Sequence, residues 1–310
     1  MKTITLIRRI VLLHVITVIA IFMACKKEEV DKTPDTGSLK QLAKDEQIVH
    51  NASEEVLSDV SDFMSGSSSK EIQILPCNAT IDSSSVVNDT ITYTVTFNGL
   101  NCSGTRLREG TCLVKKHINT HWYDAGAVLQ ITLVNMKVTI IASGKWVILN
   151  GSKTYENICG GFVYQLGNGT VTSIEHKVTG NLEAVFEDNT TRTWQITRNR
   201  TITGVPGSLL VTHEGFGTAG GYNNLVVWGV NRHGEDFYTQ ITQGVVFKQA
   251  CGWDPCSGIK VHNIPSDSKS ATVTFGYDAN QQLVSSGTCP THYKFDWVKG
   301  NYSGTLYLPL

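Results

Sequence analysis

From Glu71 onward the chain keeps a hydrophobic period of two, and that rhythm limits its fold more than any other feature. Ile91, Tyr93, Val95 and Phe97 alternate with Thr92, Thr94 and Thr96, the pattern of a strand with one face buried and a Thr face toward water. Val128–Ile141 repeats it at greater length. Leu129, Ile131 and Leu133 hold one phase and Val134, Met136, Val138 and Ile140 the other, so a bulge is expected near Leu133–Val134. Leu182, Ala184 and Phe186 lead into an Asp188-Asn189 turn, with Trp194 and Ile196 on the return strand. Trp146–Tyr155 reads as a hairpin turning at Asn150-Gly151. Further strands are expected at 209–212, 225–230, 237–242, 245–248, 272–275, 293–297 and 305–308. Turn signals every eight to twelve residues and no βαβ alternation indicate a mainly β fold, an antiparallel β-sandwich or an extended multi-strand sheet.

One segment breaks the rhythm. Leu39, Leu42, Val49, Ala52, Val56, Leu57, Val60, Phe63 and Met64 recur three or four apart, one face of an N-terminal α-helix over residues 38–66. Ser38 and Gln41 fit a capping box at its start. The 67–310 remainder is expected to be the all-β domain, with a candidate subdivision near residue 250.

Upstream, Lys2, Arg8 and Arg9 precede the uncharged run Ile10–Ala24, which meets Cys25 and then Lys26-Lys27-Glu28-Glu29. A basic start, a short apolar core and a small residue before a cut site describe a secretory signal, too short for a membrane-spanning helix. With Cys25 directly after Ala24, the segment resembles a bacterial lipoprotein signal. The resemblance implies removal of residues 1–24, diacylglycerol on the Cys25 sulfur and acylation, palmitate included, of the new amino end. Two or more chains hold a protein to a membrane where one does so only marginally. The charged run after Cys25 is similar to the tags that place lipoproteins of Bacteroidota on the outer face of the outer membrane. The expected address is therefore the outer membrane at the cell surface, the periplasmic face being the alternative. Residues 25–37 read as a flexible tether.

Without residues 1–24 the chain carries 23 basic against 27 acidic residues, a net charge of −4. That balance argues against a nucleic-acid partner. Cys77, Thr94–Phe97 with Asn101-Cys102-Ser103-Gly104, the run Gly104–Gly110, Asn189–Trp194 with Arg198 and Arg200, and Ala250-Cys251-Gly252-Trp253 follow an order that resembles uncharacterised lipoproteins of Bacteroidota. The resemblance implies an all-β secreted domain with no established activity. Cys112, Cys159 and Cys256 depart from the pattern.

Outside the inner membrane disulfides persist. The pairings expected are Cys77–Cys102 and Cys251–Cys289, each closing a loop around a strand, with Cys112–Cys159 by elimination and Cys256 left over. Cys251–Cys256 is the competing choice. His117 and His121, with Asp124 beyond, could approach one metal from a strand face, but a third ligand is missing and no metal or other cofactor is expected. Gly215–Gly221 has no helix after it to bind phosphate. No GxSxG elbow occurs, and Glu235-Asp236 suit a turn better than glycoside hydrolysis. Arg192, Trp194, Arg198 and Arg200 share one strand phase and form a candidate platform for an anionic sugar or peptide, or a packed stack of Arg stems over Trp. The reading is a non-catalytic structural or interaction protein. A carbohydrate-binding module of a glycan-uptake system is the alternative, using Trp122, Tyr123, Trp228, Trp253 and Trp297, and a hydrolase comes third.

Overall fold

The computed structural model describes residues 36–66, 76–83 and 86–310. Cys25, the signal segment and the tether through Asp35 lie outside them. Among the described residues one α-helix, α1 (Gly37–Gly66), precedes fifteen strands. The first seven are β1 (Ala79–Ser83), β2 (Thr90–Leu100), β3 (Arg106–His117), β4 (Ala127–Ile140), β5 (Trp146–Asn157), β6 (Ser173–Phe186) and β7 (Thr191–Val205). Then come β8 (Ser208–Gly215), β9 (Gly217–Ala219), β10 (Tyr222–Val230), β11 (Asp236–Lys248), β12 (Pro255–Ile264), β13 (Lys269–Tyr277), β14 (His292–Lys299) and β15 (Tyr302–Pro309). The protein is thus mainly β, and all fifteen strands belong to one antiparallel sheet.

The order follows the chain except at one lane. Between β7 and β11 the lane is shared: β8 pairs with the later half of each, β10 with the earlier half. The sheet continues past residue 250, where β11 pairs with β12. Its two edges are β1 and β15. The expected phase slip in β4 is present: pairing with β5 jumps from Leu133 to Met136, and Asn135 takes φ 50°. Its extra residue faces Gly110 of β3, where a Cβ would come within 2.4 Å of the Asn135 carbonyl oxygen, so the bulge requires glycine there.

Asn150-Gly151 is not a turn. β5 runs straight through it, pairing with β4 on one side and β6 on the other, and the hairpin from β4 closes earlier, through Ile140–Lys145. Gly151 instead serves close approach. At φ 120° its Cβ position lies 2.3 Å from the carbonyl oxygen of Asn181. Gly151→Ala therefore combines left-handed strain with a backbone clash and should destabilise by about 2 kcal/mol or more, measured as a lower urea midpoint at unchanged m-value.

Helix α1 crosses the inner face of the sheet. Ser38 Oγ takes a hydrogen bond from Lys269 Nζ of β13, His50 packs on His213 of β8 and Phe247 of β11, and Phe63 meets Tyr93 of β2 edge-on at 5.2 Å. Its apolar face, Leu39, Leu42, Val49, Ala52, Val56, Val60, Phe63 and Met64, is buried. Those side chains join one core with inward residues of nearly every strand, among them Phe97, Val114, Leu129, Tyr155, Phe186 and Phe295. A sheet this large needs an apolar cover for one face, and a helix of about 45 Å supplies it. The expected capping box is absent: Gly37 is already helical and Ser38 bonds to Lys269 instead.

The disulfides Cys77–Cys102 and Cys251–Cys289 are both present. Cys112–Cys159 is not. Cys112 is buried in mid-strand, facing Val95 and Leu133 across its two neighbours, whereas Cys159 is exposed beyond the end of β5. The row containing Cys112 reaches β5 at Gly151, eight residues short of Cys159, roughly 25 Å of strand where a disulfide tolerates about 7 Å.

Candidate functional site

The buried ionisable groups gather between α1 and the sheet. On the helix, Glu46, His50 and Glu54 are spaced by four residues, as are Asn51, Glu55 and Asp59, so the two sets form rows flanking the apolar stripe. On the sheet, Arg108, Lys153, Arg192, Arg198 and Lys269 occupy the inward phase of their strands and are buried, and Lys260 on the same face is partly so. An acidic helix lies against a cationic face.

The contacts run the length of α1. Arg232, on the β10–β11 hairpin, grips Asp45 with two nitrogens at 2.6 and 2.7 Å and lies over the Phe186 ring. Glu46 takes Lys260 at 2.7 Å and faces His262 at 3.7 Å. Glu54 takes Arg198 at 2.6 Å, with Lys153 at 3.5 Å and Arg200 at 3.7 Å. Farther along, Arg106 bonds Glu55 at 2.6 Å and the Asn51 carbonyl, and Arg108 pairs with Asp59.

This surrounding sets the charge states. Burial opposes ionisation of Glu46, but Lys260, His262 and Arg192 outweigh it and hold the carboxyl down to about 2. Glu54 behaves alike: Arg198, then Lys153, outweigh burial and keep it well below the carboxylate range. Burial lowers Lys153 to about 8 against the pull of Glu54. Four histidines are driven the other way from protonation. Burial and then Arg198 hold His50 and His213 well below 6.5, burial and then Arg200 take His176 to about 3, and burial takes His262 to about 4 in spite of Glu46. Asp59 is raised by burial, with Arg108 opposing.

The candidate platform is assembled as its spacing suggested and placed where a solvent-borne ligand cannot meet it. Arg192, Trp194 and Arg198 are buried and Arg200 is largely so. The Arg192 guanidinium lies between rings, 5.1 Å from the Trp194 centroid and 4.4 Å from that of Phe237, while Arg198 and Arg200 hold Glu54. These residues anchor α1. Sequence reasoning missed the helix acids that face them, although a charged residue in the apolar phase of a strand was a readable signal.

The other candidates do not converge. His121 Nδ1 is 3.5 Å from Asp124, and His117 accepts the Asn119 backbone N–H; among the described residues no group of three potential ligands forms around them. Glu235 bonds Asn231 and Lys269 in the β10–β11 hairpin. Followed through the register, that hairpin adjoins Thr193 of β7, whereas the row containing Lys116, next to His117, reaches β7 at Arg198. The acid pair and the histidine pair are therefore separated by about five residues along the strands and by the four strands β4–β7 across the sheet. Gly217 and Ala219 form β9, so part of the Gly-rich stretch pairs with β10 rather than looping.

Of the tryptophans, Trp122 and Trp194 are buried, Trp146, Trp228 and Trp297 half-buried, and only Trp253 is exposed, at 42%. An aromatic file stands at one end of the sheet instead. His121 stacks on Tyr123, Tyr123 meets Phe162 at 4.5 Å, and Phe162 stacks on Tyr164 at 5.0 Å, Tyr164 being 62% exposed. No family model matches this chain, and neither curated proteins nor solved structures include one similar to it.

Proposed function

We propose that this chain is a lipid-anchored protein displayed at the surface of the outer membrane, held by acyl chains on Cys25, whose β-body has a non-catalytic structural or interaction role. The observation that carries the second half is the use made of the cationic inner face. Arg106, Arg108, Lys153, Arg198, Arg200, Arg232 and Lys260 are engaged by the helix acids, and the remaining histidine and acid groups lie apart. The anchor rests on the sequence around Cys25. Cys25→Ala should abolish labelling by a clickable palmitate analogue, and undiminished labelling would refute attachment there. Protease added to intact cells should cut the wild-type protein; complete protection would move it to the periplasmic face.

A second reading, a carbohydrate-binding module, draws on the file from His121 to Tyr164, whose two end rings, His121 and Tyr164, are exposed, since an open ring face suits a sugar. It expects glycan-array binding by the protein that Tyr164→Ala weakens at least tenfold. A blank array counts against it, and binding unchanged by Tyr164→Ala places the sugar elsewhere.

A further inference from the structure

The outer face of the sheet carries an open pocket of about 310 Å³ where β2, β3 and β4 meet the loop of residues 118–126. Lys115 and His117 of β3 are exposed and take the phase opposite to buried Val114, so they point away from α1. The register sets Thr90 across from His117 and Gln130 across from Lys115, and Lys116 and Thr120 complete the rim. Three basic residues in succession line this wall, and no carboxylate does.

Their charge is not met within the protein. Among the described residues no carboxylate lies within ion-pair distance of Lys115, Lys116 or His117. Lys116 Nζ donates to the carbonyl oxygens of His117 and Thr120, which fixes the ammonium without neutralising it. His117 Nδ1 accepts the Asn119 N–H at 3.2 Å, so the neutral ring keeps its proton on Nε2 as a donor. The acids in the neighbourhood are engaged elsewhere. Asp124, whose field reaches Lys116, accepts the His121 N–H at 2.7 Å, and Glu156 stands beside Lys177 across β5 and β6. The same loop places His121, next in sequence to Thr120 of the rim, at the head of the ring file that ends at Tyr164.

We infer that this pocket binds the acidic group of an anionic saccharide, a carboxylate or a sulfate, with Lys115 as its principal ligand. The inference rests on the carbohydrate-binding reading and narrows its ligand class. The volume lies at the lower end of small-ligand sites, roughly 300–1,000 Å³, and leaves room for one acidic sugar residue. Ammonium and imidazole N–H groups make charge-assisted hydrogen bonds to such an anion, while Thr90, Thr120 and Gln130 offer hydroxyl and amide groups to the sugar hydroxyls. The exposed His121 ring beside the rim offers a face to a second sugar residue.

Binding of the full chain, purified in detergent, to an array of neutral, carboxylated and sulfated oligosaccharides tests this. The hits should be acidic, and the class they fall in identifies the anion. Lys115→Gln, a change at an exposed side chain, should weaken them at least fivefold. Lys137→Gln, toward the far end of β4 on the same face, should leave them unchanged. Neutral hits alone, or acidic hits indifferent to Lys115→Gln, overturn the inference and leave the carbohydrate reading standing. Acidic hits weakened equally by both variants report bulk charge and overturn it too. A blank array removes inference and reading together. Acidic hits that depend on Lys115 but not on Tyr164 support the pocket and dismiss the ring file.

Discussion

Glu54→Ala is expected to destabilise the protein by about 3–5 kcal/mol, the cost of leaving buried charges without their partner. Three cations depend on this carboxylate, Arg198, Lys153 and Arg200, and two of them are themselves buried. Adding Arg198→Met to Glu54→Ala should recover part of the loss, since the double variant removes a stranded charge and keeps the apolar stem. An exposed pair supplies the contrast. Lys137 and Glu109 stand 3.7 Å apart on strands β4 and β3 with both side chains largely in solvent, and Glu109→Ala should cost less than ~1 kcal/mol. Urea unfolding of the four proteins measures all of this, and equal losses for Glu54→Ala and Glu109→Ala would contradict the role given to the inner face.

Acid should weaken the fold before the ordinary carboxylate range is reached. His50, His176, His213 and His262 are neutral in the folded protein because burial and neighbouring cations disfavour their charged forms, and each lies well below 6.5. Unfolded, they take up protons near pH 6.5. The unfolded state thus binds more protons as pH falls from 6.5, and stability present above that point is lost on the way down. At pH 5 the loss is at most about 2 kcal/mol for each histidine. The groups facing them decide the sign. Glu54 near His50 and His213, and Glu46 near His262, favour protonation, but burial and Arg192, Arg198, Arg200, Lys153 and Lys260 outweigh them. Glu46, at about 2 in the fold against 4.5 outside it, extends the same trend below pH 4.5. Urea midpoints should fall steeply from pH 7 to pH 5, and a flat profile over that interval would contradict neutral buried histidines.

Much of the fold is legible in the sequence, because alternation and helical spacing report which residues share a face. Leu182, Ala184 and Phe186 before Asp188-Asn189, and Trp194 and Ile196 after it, become the β6–β7 hairpin, in which Asp188 Oδ1 caps the Thr190 N–H and hydroxyl. Strands β3 and β12 are harder to see. β3 interrupts its apolar phase with Arg108 and Gly110, and β12 begins at Pro255 and places Lys260 and His262 inward. Asn150-Gly151 misleads because a glycine needed for close strand approach looks the same as one needed for a turn. Cys112–Cys159 fails because elimination counts sulfurs and ignores the strand between them.

The site was the least legible part, for a physical reason. Periodicity finds the stripe from Leu39 to Met64 and assigns everything else on the helix to water. Yet Asp45 and Glu46 are as buried as the stripe. Whether a polar face is solvated depends on what lies opposite, and here that is a set of Arg and Lys residues 50 to more than 200 positions away in the chain. The same blindness left Arg192, Trp194, Arg198 and Arg200 looking like an open platform. Their common face was readable; the helix covering it was not.

Native-state hydrogen exchange across α1 tests most directly the claim that the helix is an integral part of the sheet's core. The amides of Val49–Val60, beneath which Glu54, His50 and Ser53 meet strands β5, β7 and β8, should exchange only with the global unfolding free energy, together with those of β5, β6 and β7. Exchange of these amides well ahead of the sheet, at the rate of an isolated helix, would contradict it.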